Sequence, residues 1–142
     1  MRIEVVKHVR RPVGVVYAWC TDFQETDPDL SSVSIHGRRI VSRAADQVEL
    51  EDHGVLGLPL TARYLVRLHP PDQWEADASS RMGTGHNNYR LTPEGDGTRI
   101  AIAFDLHPRG RYRIFVALAG PMLRKRLSRL WDDFVRDMEE GH

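Results

Sequence analysis

The sequence predicts an α+β domain in which a curved, antiparallel sheet of seven strands wraps around one long C-terminal helix. Two patterns predict this class: strand-like alternation fills the middle of the chain, and a long one-sided helical pattern ends it. A sheet of that size curls, and one amphipathic helix across its concave face would cover the apolar side. We expect a single domain over residues 1–142, because this length allows one real core and is too short for two.

The chain opens with alternating apolar and polar residues from Arg2 to Arg10, which predicts a strand. From Pro12 to Cys20 the apolar residues recur at helical spacing, and proline is favoured in a first helical turn, so a short helix follows. The segment from Thr21 to Ser32 is either a loop or one further helical turn. One or two short helices therefore separate the first strand from the rest of the sheet.

Six more strands are predicted from alternating residues and from the turn-forming residues between them. Pro70-Pro71-Asp72 marks one turn, and the segment from Pro93 to Gly97 marks another. Strands with one apolar and one polar face, joined by short turns, form an antiparallel sheet with one face in water. The predicted strands are Ile35–Arg43, Asp46–His53, Leu60–His69, Gln73–Arg81, Thr84–Thr92 and Arg99–Leu106.

The long helix is predicted from Met122 to Glu140, where all apolar residues except Met122 fall on one face. The segment from Arg111 to Ala119 is also helical in pattern, but its apolar stripe points about a third of a turn away. A break or kink at Pro121 would let both stripes face the interior. Alternatively, Pro121 is the first residue of the long helix.

Composition and charge exclude several classes of function. The chain has 20 Lys and Arg against 20 Asp and Glu, so we expect no general affinity for nucleic acid or anionic membranes. It contains no apolar run long enough to cross a membrane and no signal-peptide pattern, so no integral membrane association is expected. Cys20 is the only cysteine, which excludes an intramolecular disulfide and favours the reducing cytoplasm; we interpret it as a small buried hydrophobe.

The sequence predicts neither a metal nor a cofactor. Its seven histidines lack the spacing of a helix or hairpin zinc site. Gly83, Gly85 and the Gly95-Asp96-Gly97 turn are interpreted as hairpin residues and not as a glycine-rich phosphate loop.

Both ends of the chain carry motifs with a resemblance to a known superfamily. The first strand and short helix contain Val5-x-x-x-Val9-x-x-Pro12-x-x-x-Val16-Tyr17-x-x-Cys20-x-Asp22, and Gly120-Pro121-Met122-Leu123 precedes the final amphipathic helix. These motifs resemble those of the START and Bet v 1-like (SRPBCC) superfamily, in particular its polyketide cyclase/dehydratase-like branch. The resemblance implies the helix-grip fold, with a deep and largely apolar cavity between the sheet and the long helix.

Residues from the strands and from the helical region would line the cavity that this resemblance implies. The small residues Ala62, Ala76, Ala78 and Ser80 on the inner face leave room, since a sheet packed tightly on a helix usually carries larger groups there. Alternatively, bulky neighbours fill that space as ordinary core. The strands would contribute Tyr64, Val66, Trp74, Ala76, Ala78, Asn87, Tyr89, Ile102 and Phe104, and the helical region Phe115, Leu118, Met122, Leu130 and Phe134.

Three polar residues are exceptions on this apolar inner face. Asn87, Tyr89 and Tyr64 suit a small-molecule site, in which a few hydrogen-bonding groups are set among apolar walls. Alternatively, Asn87 bonds the backbone at a bulge near Gly83 and Gly85, and the tyrosine hydroxyls reach water.

Asp52 is the one candidate catalytic residue. It continues the inward parity of Val48 and Leu50, so it is either a buried carboxylate with a raised pKa that abstracts a proton, or a residue of the water-exposed rim. Its neighbour Gly54 signals a strand end, which favours the rim.

Three functions are consistent with these patterns. The first is binding or transport of a small hydrophobic molecule such as a lipid, an isoprenoid or a polycyclic aromatic. The second is a cyclase or dehydratase that uses the same cavity, and the third is a protein-interaction module; a second copy of the chain is a further candidate partner. Binding ranks first because it needs only the cavity, whereas an enzyme also needs an acid or base.

Overall fold

The computed structural model describes residues 1–24, 37–54 and 60–141. Its elements follow the predicted order of a strand, a short helix, six strands and a long helix. Their bounds are β1 Arg2–Val9, α1 Val13–Thr21, β2 Gly37–Arg43, β3 Gln47–His53, β4 Thr61–His69, β5 Gln73–Ser80, β6 Gly83–Glu94, β7 Gly97–Pro108 and α2 Tyr112–Glu140. The further helical turn considered for Thr21 to Ser32 falls mostly outside the described residues.

The seven strands form one sheet with the order β1-β7-β6-β5-β4-β3-β2, and every neighbouring pair is antiparallel. Each of β2 to β7 lies beside its neighbour in sequence, and β1 pairs with the last strand, β7. The predicted fold class, a seven-stranded antiparallel sheet with a short helix near the start and a long C-terminal helix, is confirmed.

β6 and β7 are longer than predicted, because the turn between them is tighter than the sequence indicated. Glu94 pairs with Gly97, so only Gly95 and Asp96 form the loop. Gly95 has a φ of 57°, a left-handed conformation that glycine adopts without steric cost and that two-residue hairpin loops require. The pairing therefore continues through Pro93 to the tip of the hairpin.

α2 is one continuous helix from Tyr112 to Glu140 that contains Pro121. The predictions of a break at Pro121 and of a helix start there are both wrong. With a single helical phase, the face that buries Trp131 and Met138 extends back to Gly120 and Val116.

This single phase turns the upstream apolar stripe toward solvent. Phe115, Leu118 and Met122 are 51 %, 81 % and 66 % exposed, so their predicted inward position is wrong. The sequence indicated two stripes that a break or kink would merge, but in the continuous helix only one of them reaches the interior.

The core lies between the inner face of the sheet and the two helices. α2 packs mainly against β1 and β7, and α1 packs against β6 and β7. Within the described residues, no helix is long and apolar enough to span a membrane. The buried core comprises Ile3, Val5, Val9, Val16, Val48, Leu50, Val66, Trp74, Ala76, Leu91, Ile100, Ile102, Phe104, Trp131 and Met138.

Candidate functional site

The strand register brings all nine predicted strand residues to one face of the sheet. Residues paired directly across antiparallel strands point to the same side, so each inner-face position belongs to a row that crosses the sheet. The three rows that contain them are Leu68–Trp74–Tyr89–Ile102, Val66–Ala76–Asn87–Phe104 and Tyr64–Ala78–Gly85–Leu106.

Aromatic rings form a continuous cluster at one end of this face. Trp74 stacks on Tyr89, its direct partner across β5 and β6, with ring centroids 4.8 Å apart and planes 6° apart. Tyr17 of α1 meets Trp74 edge-on at 5.7 Å, and Trp131 of α2 lies 6.1 Å from Tyr89. The cluster therefore joins both helices to the sheet and forms an apolar wall.

Phe134, one of the five helix residues predicted to line the interior, extends this cluster along α2. Its ring lies 5.2 Å from that of Trp131 and 5.5 Å from that of Trp19, measured between centroids. Leu130 is half-buried. Of the five predicted helix residues, these two thus lie on or beside the packed side of α2, whereas Phe115, Leu118 and Met122 do not.

Small residues replace the aromatic ones toward the other end of the inner face. Ala78 sits between Tyr64 and Gly85 in its row, and the next row pairs Ala62 with Ser80. Ala62 is buried at 5 % exposure, whereas Ala78 is half-buried. On β5 the inner face therefore changes from the large ring of Trp74 to the small Ala78 within two rows, roughly 14 Å along the strand at 3.4 Å per residue.

The polar groups of the inner face lie beside the aromatic wall. Nδ2 of Asn87 donates to the Tyr89 hydroxyl at 3.4 Å, while Oδ1 of Asn87 accepts no hydrogen bond from any described side chain. Burial, helped by the nearby Asp52 charge, raises the pKa of Tyr64 to about 12, and burial also raises the pKa of Tyr89. Both phenols therefore stay protonated at neutral pH and act as hydrogen-bond donors, not as bases.

Tyr17 brings a further polar group that the sequence analysis did not select. Its hydroxyl is buried and has no hydrogen-bond partner among the residues that the structure describes. A buried hydroxyl without a partner costs free energy, so a ligand oxygen or nitrogen that reached it would be favoured. Sequence parity could not find this residue, because it assigns faces within strands but does not orient a short helix against the sheet.

Asp52 is buried, with 4 % of its surface exposed, so the expectation of a water-exposed rim is wrong and the inward parity is right. The reason lies across the hairpin: Arg38 is the direct partner of Asp52 in β2. Its Nε donates to Oδ1 at 2.8 Å and its Nη2 to Oδ2 at 3.1 Å. A bidentate guanidinium–carboxylate contact of this kind compensates the charge of a buried carboxylate.

Cys20 packs beside the core, and burial raises the pKa of its thiol, so it stays protonated and unreactive. Among residues 1–24, 37–54 and 60–141, no group of three or more His, Cys, Asp or Glu residues is arranged to hold a metal ion.

The outer face of the sheet carries a charged groove of about 530 Å³. Its floor includes Arg63, Asp77 and His86, and Nδ1 of His86 lies 2.7 Å from Oδ1 of Asp77. This hydrogen bond, together with Arg67, lowers the pKa of Asp77. Side chains that already pair with one another in this way are typical of a solvated sheet face, and they do not suit a hydrophobic ligand.

The sequence matches no family model and no curated protein. The structure, in contrast, is similar to many solved ones. A protein of Thermus thermophilus matches with a TM-score of 0.77 and 15 % identity over 99 % of this chain and 95 % of that one. The ZhuI aromatase/cyclase of a Streptomyces species matches with a TM-score of 0.77 and 14 % identity over 99 % and 92 %. A START superfamily protein of Mycobacterium smegmatis matches with a TM-score of 0.66 and 15 % identity over 99 % and 95 %.

These matches span nearly the whole chain at low sequence identity, and they establish the fold. The chain has the START and Bet v 1-like helix-grip fold that its terminal motifs predicted. Activity is a separate matter, because one fold hosts many functions and the residues of the site decide among them.

Proposed function

We propose that this protein binds a small hydrophobic molecule, such as a lipid, an isoprenoid or a polycyclic aromatic, between the inner face of its sheet and α2. The observation that carries the proposal is the change along the inner face from the stacked Trp74 and Tyr89 to the small Ala78 and Gly85. A flat or extended apolar ligand could lie against the rings and extend over the small residues.

The position of α2 supports this proposal. Its main contacts are with β1 and β7, at one side of the sheet, whereas the small residues lie on β4, β5 and β6. The small residues therefore lie on strands other than the two on which α2 mainly packs.

A modest apolar contact would be sufficient for useful affinity. Burying about 200 Å² of protein apolar surface and a similar area of ligand contributes roughly 10 kcal/mol at 25 cal/mol per Å², before the ordering costs of binding. Micromolar binding needs about 8 kcal/mol, so it is within reach without a charged contact. Oδ1 of Asn87 and the hydroxyl of Tyr17 would orient a ligand that carries one or two polar atoms.

A cyclase or dehydratase that uses the same space has weaker support. Asp52 is the candidate base, but both of its carboxylate oxygens accept hydrogen bonds from Arg38. A general base needs an oxygen directed at the substrate proton. Tyr64 and Tyr89 can donate hydrogen bonds to a carbonyl, which suits binding as well as catalysis. For the cellular compartment, the single cysteine supports a reducing environment such as the cytoplasm.

Intrinsic fluorescence gives a direct test, because all three tryptophans, Trp19, Trp74 and Trp131, belong to the aromatic cluster. A panel of lipids and aromatic metabolites is titrated into the protein, and binding is confirmed by native mass spectrometry. We expect a saturable change in fluorescence and a one-to-one complex for at least one member.

Two variants locate the bound molecule. Ala78→Phe fills the inner face, and we expect it to weaken binding by at least about tenfold, a loss of about 1.4 kcal/mol. Ser79→Phe places the same ring one residue along β5, on the outer face, and should leave affinity unchanged within about twofold. Equal affinity in both variants would place the ligand elsewhere, and no binding across the panel would favour a protein-interaction module instead.

A further inference from the structure

The N-terminal half of α2 carries an exposed apolar stripe of Ile114, Phe115, Leu118 and Met122. These side chains are between 51 % and 81 % exposed, and they lie within about 100° of the helix circumference. Single exposed apolar residues are common, whereas a contiguous group of large ones marks a surface that binds something. Because α2 is continuous through Pro121, the stripe cannot turn inward without a change in helical phase.

The same region carries a positive formal charge, in contrast to the neutral whole chain. From Leu106 to Trp131 the sequence contains seven Arg and Lys residues and no Asp or Glu, although the whole chain has a net charge of zero. Arg111, Lys125 and Arg129 are exposed on the same side of α2 as the apolar stripe. No carboxylate of the described residues forms a salt bridge with any of these three.

Acidic groups at the borders of this region are already paired. Asp105, just before it, accepts from Arg2 at 3.3 Å, and Asp132, just after it, lies 2.6 Å from Nζ of Lys7. These two carboxylates therefore do not compensate the charges of Arg111, Lys125 and Arg129.

We infer that this half of α2 docks on an anionic phospholipid surface, with the apolar stripe inserted between the headgroups and the cations held at the phosphates. An amphipathic helix with exposed aromatic and aliphatic side chains among Lys and Arg has the composition of an interfacial helix. Each cation near an anionic membrane strengthens binding by roughly fivefold, and the stripe adds burial in the acyl region. Docking of this kind is peripheral and does not need a membrane-spanning helix.

Two other occupants fit the surface less well. A nucleic acid would attract the cations, but its phosphate backbone offers nothing in which to bury Leu118 or Met122. A second copy, related by a twofold axis through the stripe, would set positively charged residues such as Arg111 and Lys125 against one another.

An offset pairing of two copies meets a different obstacle. Eighteen residues, or about five turns, further along α2 the same face carries Asp132, Asp133, Arg136 and Glu140. An antiparallel contact that set the basic half against this acidic half would therefore press the apolar stripe onto charged side chains.

The test is co-sedimentation of the full chain with vesicles of phosphatidylcholine alone and of phosphatidylcholine mixed with phosphatidylglycerol. We expect binding to the mixed vesicles that is at least about tenfold stronger than to phosphatidylcholine alone. Leu118→Glu should weaken binding to the mixed vesicles at least about tenfold, and so should Lys125→Glu combined with Arg129→Glu. All substituted positions are exposed, and circular dichroism checks that each variant is folded.

Matched controls alter charge and apolar exposure on the outer face of the sheet. Val6→Glu removes an apolar side chain that is 52 % exposed on β1, and Arg90→Glu combined with Arg99→Glu reverses two exposed cations on β6 and β7. Both controls should bind the mixed vesicles within about twofold of the parent protein.

Several results would overturn this inference. Failure of the parent protein to sediment with mixed vesicles would do so, as would equal binding by Leu118→Glu. A concentration-dependent dimer that Leu118→Glu abolishes, without vesicle binding, would assign the stripe to a second copy. Binding to duplex DNA in preference to the mixed vesicles would assign the cations to nucleic acid. None of these outcomes depends on whether the interior binds a hydrophobic ligand.

Discussion

Replacement of Asp52 by Asn tests whether the buried ion pair with Arg38 stabilises the fold. The side chains of Arg38 and Asp52 are only 14 % and 5 % exposed, and two hydrogen bonds of 2.8 and 3.1 Å join them. Asp52→Asn removes the carboxylate charge that Nε and Nη2 of Arg38 contact, and breaking a buried ion pair by loss of one partner costs about 3–5 kcal/mol. We therefore expect Asp52→Asn to lower the free energy of unfolding by about 3 kcal/mol or more.

Urea denaturation followed by tryptophan fluorescence measures this loss. With a slope of about 2 kcal/mol per M, a loss of 3–5 kcal/mol moves the midpoint down by about 2 M. Arg63→Met is the control, since it breaks a pair with Glu51 in which the Arg63 side chain is 55 % exposed. Exposed pairs contribute less than about 1 kcal/mol, so its midpoint should change little.

A double-mutant cycle separates the pair from the other contacts of Arg38. When Arg38→Met and Asp52→Asn are combined, the loss should be smaller than the sum of the single losses by about 1–3 kcal/mol. Simple additivity, or a loss for Asp52→Asn no larger than that of Arg63→Met, would refute the reasoning. It would also reopen a role for Asp52 in proton transfer.

Two further predictions concern the core. Phe134→Ala should lower the free energy of unfolding by about 2–4 kcal/mol, because it removes contacts with Trp19 and Trp131. Leu118→Ala is the control, since Leu118 is 81 % exposed and its loss should cost less than about 0.5 kcal/mol. Equal denaturation midpoints for the two variants would show that Phe134 does not belong to the core. Because burial raises the pKa of Tyr64 from 10.0 to about 12, its contribution to stability is complete below pH 10 and is lost as the pH rises to 12. Tyr64→Phe should therefore reduce the fall of the urea midpoint between those pH values, while Tyr112→Phe, outside the aromatic cluster, should leave it unchanged.

The sequence was a good guide to the strands, because side-chain parity within a strand is nearly independent of context. Alternation alone predicted one shared face for Trp74, Ala76, Asn87 and Tyr89, and the strand register agrees with this prediction. The same rule correctly predicted that Asp52 points inward, whereas the water-exposed position inferred from the neighbouring Gly54 was wrong. Its partner Arg38 lies across a hairpin, and a one-dimensional pattern does not show which residues face each other across strands.

The helical part was harder to predict, because its phase depends on a single local feature. If Pro121 broke the helix, Phe115 and Leu118 would be free to face the core, and if the helix continued, they would face water. The helix continues, and Pro121 lies on its exposed side. Extension of the Trp131 and Met138 face backwards by whole turns would have identified Val116 and Gly120 as the buried residues.

The pairing of β1 with β7 has a consequence for how the chain reaches its native state. The paired residues of β1 and β7 are about 90–100 positions apart in sequence, from Val9 with Thr98 to Arg2 with Asp105. In contrast, each of β2 to β7 pairs with its neighbour in sequence. Closing so long a loop is entropically costly, so we expect the local hairpins to form first and β1 to add late. Until then β7 is an unpaired sheet edge whose apolar inner residues, Ile100, Ile102 and Phe104, lack their partners in β1. We expect that intermediate to be prone to aggregation, so that its lifetime, more than the stability of the finished fold, would limit the yield of refolding.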